Sequence, residues 1–296
     1  MSEAELSIRI LQGDCRDLLP TLPTDSVDLV FTSPPYADSR KNTYGGVPPD
    51  EYVEWFLPIG TELLRVLKPS GTFILNLKEN VVNGERSTYV IELILALRKL
   101  GWIGTEEFLW HKKNATPGKW PNRFRDAWER LLQFNKSRRF AMYQDAVKVP
   151  PAESAKRCPR YATERNQQQH MSATGSGLTR RTWIYKELVY PSNVLFLPTE
   201  SGNKKHSAVF PEALPEWFVK LFTLPGDVVL DPFLGSGTTG VVCHRLNRHF
   251  IGMEILPQYV ELARERIFFT KTSKRTSSDA PSLPLLPLFA SQSNGA

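Results

Sequence analysis

Between residues 228 and 254 the chain passes through Val228-Val229-Leu230, the turn Asp231-Pro232-Phe233-Leu234-Gly235-Ser236-Gly237, a helical stretch from Thr238 to Leu246, and a second apolar run ending in Met253-Glu254. A strand, a glycine turn, a helix and another strand in so short a span restrict the chain to folds in which parallel strands are joined by crossover helices. The glycines let the backbone turn tightly and approach a ligand, and the helix N-terminus beyond them offers unpaired N–H groups and partial positive charge. Glu254 follows Gly235 at the spacing where an acidic side chain meets ribose hydroxyls in nucleoside-binding folds. An ordinary strand–helix turn, with Glu254 capping the helix after Pro257, is the plain alternative.

The turn has no Gly-Lys-Ser/Thr element and so is not a phosphate-binding P-loop. Gly235, Gly237 and Gly240 stand at the Gly-x-Gly-x-x-Gly spacing of nucleotide-binding turns. Of the cofactors such a turn can hold, a nucleoside without a phosphate tail, such as S-adenosylmethionine, is expected ahead of NAD.

The same alternation recurs along the chain. Ile8–Leu11, Val27–Phe31, Thr72–Leu77, Glu107–Trp110 and Asn193–Leu197 read as strands. Residues 50–67, Tyr89–Leu100, Leu214–Phe222 and Tyr259–Phe269 carry apolar side chains at helical spacing, and Lys68-Pro69-Ser70-Gly71 reads as a turn. The fold class expected is α/β: a Rossmann-like, mostly parallel sheet with helices on both faces. Residues 112–192 break the pattern, being rich in Lys, Arg, Gln, Asn and Pro. Residues 271–296 read as a flexible Ser/Pro/Leu-rich tail.

Charge follows the same division. The net charge is +6, yet residues 111–190 hold 17 Lys and Arg against 6 Asp and Glu, a local balance of +11, so the rest is mildly acidic. Such a patch suits a polyanion such as nucleic acid, with a solvated basic face as the alternative. Arg157, Arg160, Arg165, Arg180 and Arg181, interleaved with aromatics and with Gln167, Gln168 and Gln169, are the candidate DNA contacts. No apolar run is long enough to span a bilayer, and Met1 to Glu5 is acidic rather than signal-like. Cys15, Cys158 and Cys243 lie far apart, which argues against a disulfide framework or a zinc site; no metal is expected.

Thr32-Ser33-Pro34-Pro35-Tyr36 follows the Val27–Phe31 strand, at the end where ligands bind in open α/β sheets. Two prolines stiffen the loop and remove two N–H donors, leaving carbonyls to accept from elsewhere. The Ser33 hydroxyl and the Pro34 carbonyl can hold the two hydrogens of an exocyclic amine on a planar ring. That favours tetrahedral nitrogen and aims its lone pair at an electrophilic methyl, with Tyr36 stacking on a base extruded from the duplex. A rigid Pro-Pro turn without chemistry is the bland reading.

Taken together, the two motifs resemble those of amino-group DNA methyltransferases of the permuted β arrangement, in which the catalytic loop precedes the cofactor loop. Ser33-Pro34-Pro35-Tyr36 is similar to the motif of the cytosine-N4 branch, since adenine-N6 enzymes more often carry Asp or Asn where Ser33 stands. The resemblance implies S-adenosylmethionine contacts from Asp14, Cys15, Asp231, Pro232, Phe233, Gly235, Gly237, Thr238, Thr239 and Glu254. Lys204 and His206 fall in a segment, 202–211, that would close over this cofactor; Asp14 could instead cap the segment after it. Phe108 to Lys113 is similar to the strand beside the target-base pocket.

The organisation implied is a catalytic half at 1–149, a target recognition region at 150–192, a cofactor-binding half at 193–270 and the tail at 271–296. Implied partners are double-stranded DNA and a cognate restriction endonuclease, with the enzyme a monomer or homodimer in the cytoplasm of a bacterial or archaeal cell. Adenine-N6 transfer, and a DNA-binding module without catalysis, stand as alternatives. Cytosine C5 transfer is disfavoured, because no cysteine follows a proline. All of this requires Tyr36 and Phe233 to face a common cavity.

Overall fold

The computed structural model describes residues 6–39, 46–115, 122–151, 170–171, 177–178, 187–199 and 210–269. Its elements run β1 (Ile8–Gln12), α1 (Cys15–Leu18), β2 (Val27–Thr32), α2 (Tyr52–Val66), β3 (Leu67–Leu77), β4 (Val81–Val82), β5 (Glu85–Arg86), α3 (Tyr89–Lys99), β6 (Ile103–Lys112) and β7 (Trp128–Asn135). Then come β8 (His170–Met171), β9 (Gly177–Leu178), β10 (Val194–Leu197), α4 (Ala213–Phe222), β11 (Val228–Asp231), α5 (Thr238–Arg245), β12 (His249–Glu254) and α6 (Pro257–Phe269).

The chain divides into two units, one of residues 1–147 and 192–273, the other of 148–191 and 274–296. Within the smaller unit β8 pairs antiparallel with β9, and Val149 bridges Val189. The larger unit carries an eight-stranded sheet in the order β1-β12-β11-β2-β3-β7-β6-β10. Neighbouring strands are parallel except where β7 opposes β3 and β6. This is the mostly parallel sheet expected from the sequence.

Successive strand residues bury on opposite faces, as the two-residue period of a strand demands. Val30, Phe73, Leu75 and Leu230 pack with Phe56 and Leu63 of α2 and with Leu93 and Leu97 of α3. Leu29, Phe31, Ile74 and Val229 pack instead with Phe218 of α4, Val242 of α5 and Ala263 of α6. Both faces are thus covered by helices, which is why the central strands are continuous apolar runs rather than alternating ones.

The expected turn at Lys68-Pro69-Ser70-Gly71 is a correction. These residues belong to β3 and bulge between the first two of its pairs with β2, Leu67 opposite Val27 and Thr72 opposite Leu29. Pro-Ser-Gly is a turn signal, but a glycine in a strand also marks close approach of another backbone. A Cβ on Gly71 would lie 2.9 Å from the Asp28 carbonyl oxygen.

Gly240, inside α5, shows how tightly the second layer is built. A Cβ there would meet Ile267 Cδ1 at 2.4 Å and Phe250 Cε1 at 2.8 Å. Overpacking of this kind costs about 1–3 kcal/mol, so Gly240→Ala is expected to lower the stability measured by chemical denaturation by that amount. An unchanged denaturation midpoint would show that α6 yields without cost.

Candidate active site

The chain reverses direction across the sheet between β2 and β11. From β2 it moves one way to β3, and from β11 the other way to β12. Loops leaving the carboxyl ends of two such strands diverge and leave a crevice, where ligands of open α/β folds bind. Here the loop after β2 is Ser33-Pro34-Pro35-Tyr36 and the loop after β11 begins at Pro232. Both open, with the loops after β1 and β12, on one cavity of about 640 Å³. Tyr36 and Phe233 line the same cavity, as do Gly13, Asp14, Cys15, Ser33, Pro34, Pro35, Pro232, Gly235, Thr238 and Glu254.

On the glycine-turn side, Glu254 is only 4% exposed. One carboxylate oxygen accepts from the Gly235 amide at 2.9 Å and the other from the Leu256 amide at 3.0 Å. The acid therefore ties the end of β12 to the turn at the cavity wall. Gly235 has φ +52° and Gly237 φ +81°, left-handed values that favour glycine. Asp14 does cap α1, accepting from the Arg16 amide at 2.8 Å, while it also lines the cavity. The Arg16 guanidinium holds its carboxyl below the usual value. The Cys15 thiol is pushed up to about 12 by burial, which makes it a poor nucleophile.

Three residues grouped with the cofactor contacts are placed elsewhere. Asp231 is 1% exposed and sits behind the turn. Its carboxylate accepts from the Thr32 hydroxyl at 2.7 Å, the Thr239 hydroxyl at 2.8 Å and the Phe233 amide at 3.1 Å. Asp231 and Thr239 thus bind each other and hold the turn. Gly237 faces α6, where a Cβ would lie 2.9 Å from Ala263 Cβ. Lys204, His206 and the arginines at 157, 160, 165, 180 and 181 lie outside the described residues.

On the Ser-Pro-Pro-Tyr side, the Pro35 carbonyl accepts from the Tyr52 hydroxyl at 2.9 Å, which anchors the loop to α2. The Tyr36 hydroxyl donates to Glu129 Oε2 at 2.7 Å. Ser33 Oγ lies 3.5 Å from that hydroxyl, and Asn76 Oδ1 lies 3.4 Å from it. Glu129 is also ion-paired with Lys112. Burial, and then the Glu129 charge, hold the Tyr36 phenol well above its ordinary value, so it stays a neutral donor.

Glu129, Asn76 and Trp55 line this cavity too, although the motifs do not point to them. Because β7 runs against its neighbours, its first residues lie where β3 and β6 end, bringing Glu129 beside Trp110. A carboxylate at the start of the largely buried Trp128–Asn135 strand was the one local signal. Trp110 and Lys112, from the strand expected beside the base pocket, also face the cavity.

The donor set fits a nucleoside cofactor. Glu254 and Asp14 offer acceptors to hydroxyl and amino groups, Phe233 and Trp55 offer apolar surface, and the start of α5 at Thr238 adds its partial positive charge. Fold and site together define the S-adenosylmethionine-dependent methyltransferase class.

Comparison with known proteins carries this further. The family model described as DNA methylase, covering N6 and N4 methyltransferases, matches residues 27–265. The chain is 31% identical over 290 residues to the type II methyltransferase M.PvuII of Proteus hauseri, covering 90% of this chain and 85% of that protein. It is 29% identical over 261 residues to M.BglII of Bacillus subtilis, covering 86% of this chain and 67% of that one. Among solved structures it resembles the PvuII DNA methyltransferase, described as cytosine-N4-specific, with TM-score 0.65 at 27% identity over 89% of this chain and 86% of that one. It also resembles a Thermus thermophilus protein solved in complex with S-adenosyl-L-methionine, with TM-score 0.58 at 25% identity over 88% and 93% of the two chains. The chain belongs to the DNA methylase family.

Proposed function

We propose that this protein methylates the exocyclic N4 amine of cytosine in duplex DNA, using S-adenosylmethionine and a base turned out of the helix. The observation that carries the reading is the shared cavity, on which the Ser-Pro-Pro-Tyr loop, the Gly235 turn and Glu254 all open. Serine at position 33, and the cytosine-N4 specificity named for the PvuII enzyme, favour cytosine over adenine.

Glu254, Asp14, Phe233 and the turn from Pro232 to Gly235 would hold the cofactor. Bound there, it supplies a methyl group on an electrophilic sulfonium. An aromatic amine is a weak nucleophile because its lone pair is delocalised into the ring. The Ser33 hydroxyl oxygen and the Pro34 carbonyl accept its two hydrogens, drawing the nitrogen towards tetrahedral geometry and exposing the lone pair. Tyr36 stacks on the base. Transfer of that methyl would leave the former C–S electron pair on sulfur, and Ser33, accepting an N–H hydrogen, would guide the departing proton towards water. Positioning and fixed dipoles supply most of the acceleration, and no covalent enzyme intermediate is needed.

Arg157, Arg160, Arg165, Arg180 and Arg181 are proposed to contact DNA, the 150–192 stretch to recognise the target, and Lys204 and His206 to contact the cofactor. The relatives' type II designation supports a restriction–modification setting in the cytoplasm, with an endonuclease sharing the target site. No described helix is long and apolar enough to cross a membrane.

Incubation with tritiated S-adenosylmethionine and mixed-sequence DNA, digestion to nucleosides and mass spectrometry test the reading. N4-methyl-2′-deoxycytidine is the expected product. N6-methyl-2′-deoxyadenosine would transfer the assignment to the adenine branch, and an unlabelled digest would reject transfer altogether.

A further inference from the structure

Four side chains from three separate elements meet at the base side of the cavity. Ser33 and Tyr36 come from the loop after β2, Glu129 from the start of β7 and Lys112 from the end of β6. Their hydrogen bonds have a direction that follows from their chemistry. An ionised carboxylate can only accept. The Tyr36 hydroxyl has one hydrogen, and at 2.7 Å from Glu129 Oε2 that hydrogen is committed to the carboxylate. Its oxygen then faces Ser33 as an acceptor, and Ser33 Oγ, 3.5 Å away, is placed to turn its hydrogen towards it. Serine also has a single hydrogen. Once directed at Tyr36, it leaves only lone pairs to face the cavity.

We propose that Glu129 is a positioning residue that fixes the direction of this chain, so that Ser33 meets the amine as an acceptor and never as a competing donor. This rests on the methyltransferase reading given above and deepens it. Lys112 is paired with the other Glu129 oxygen, which leaves Oε2 turned towards Tyr36. The Asn76 amide nitrogen is held by the Arg130 carbonyl at 3.0 Å, so the side of Asn76 turned to the chain is its oxygen, which cannot donate to Tyr36. The Tyr36 phenol, kept neutral by its surroundings, retains the hydrogen that the chain requires.

Glu129→Gln tests the direction while preserving shape. The new amide nitrogen can donate to Tyr36, which frees the tyrosine hydrogen to turn towards Ser33 and the serine hydrogen to turn towards the amine. The expected result is a fall in kcat on the order of 10- to 100-fold, with KM for DNA and affinity for S-adenosylmethionine close to wild type. Glu129→Asp, which keeps an acceptor, should retain more activity than Glu129→Gln. Because Glu129 acts only through Tyr36, adding Glu129→Gln to Tyr36→Phe should change kcat by no more than about twofold.

Four outcomes overturn the proposal: wild-type kcat in Glu129→Gln, a less active Glu129→Asp, independent multiplying of the two substitutions, or loss of cofactor binding in Glu129→Gln. The last would assign Glu129 to holding the cavity together instead. Wild-type protein assayed alongside keeps the two readings apart. Absence of any methylated nucleoside from wild type counts against the function, whereas active wild type with an equally active Glu129→Gln counts against this proposal alone.

Discussion

Ser33→Ala is expected to lower the single-turnover rate of DNA methylation on the order of 10²–10³-fold, the usual consequence of removing one fixed polar group from a transition state. The substituted side chain loses the loop hydroxyl assigned to accept an amine hydrogen. The two prolines, and the Tyr52 hydroxyl on the Pro35 carbonyl, still hold the backbone in place. The cofactor groups on the other wall, Glu254 and the Gly235 turn, are tied to each other and not to Ser33. Binding of S-adenosylmethionine, followed by calorimetry, should therefore stay within a few-fold of wild type. This separation of rate from affinity is what a transition-state role predicts. If the variant turns over at the wild-type rate, the amine is oriented by something else, and the Ser-Pro-Pro-Tyr loop is a rigid turn.

Much of this arrangement was legible in the sequence because the relevant signals are local. A strand, a glycine turn and a helix within about twenty residues leave few ways to fold, and the order of such units made a mostly parallel sheet the natural expectation. The convergence of Ser33 with Glu254 followed from the same rule, since both stand at carboxyl ends of strands. The residues that complete the site gave weaker signals. Asn76 and Glu129 are separated by more than fifty residues and meet only because β7 enters the sheet antiparallel, beside β3. The order of strands around β7 is set by packing between distant segments, which no short window records. The same holds for Lys68 to Gly71, where turn-forming residues are accommodated as a bulge inside a strand.

Asp231 illustrates the opposite error, in which a motif residue carries structure where ligand contact was expected. Motif membership alone does not say which way a side chain points. At the end of β11 the strand alternation turns Asp231 into the protein, where the Thr32 hydroxyl, the Thr239 hydroxyl and the Phe233 amide all donate to it. Through these three contacts a single acid joins the two loops that frame the cavity, since Thr32 immediately precedes Ser33 and Phe233 lies in the glycine turn.

Asp231→Ala is accordingly expected to destabilise the protein by about 3–4 kcal/mol, because it leaves three buried donors without their acceptor. For a chain of this size that corresponds to a fall of roughly 5–6 °C in Tm. Asp231→Asn should behave differently. Its amide oxygen can take the Thr32 and Phe233 bonds, and its nitrogen can donate to the Thr239 oxygen once that hydroxyl rotates. Burial raises the Asp231 carboxyl from 3.8 to about 6, against the pull of its three donors. The folded state therefore holds this proton more tightly than the unfolded chain. The contribution of this group to stability is complete below pH 3.8 and is lost as pH rises through about 6. An amide in place of the acid does not titrate, so the Asp231→Asn variant should lose that part of the pH dependence and stay within a few degrees of wild type at neutral pH. Thermal melts of both variants across pH 4 to 8 distinguish a need for acceptors from a need for charge. Equal losses in Asp231→Ala and Asp231→Asn at pH 7.5 would show that the negative charge itself holds the two loops together.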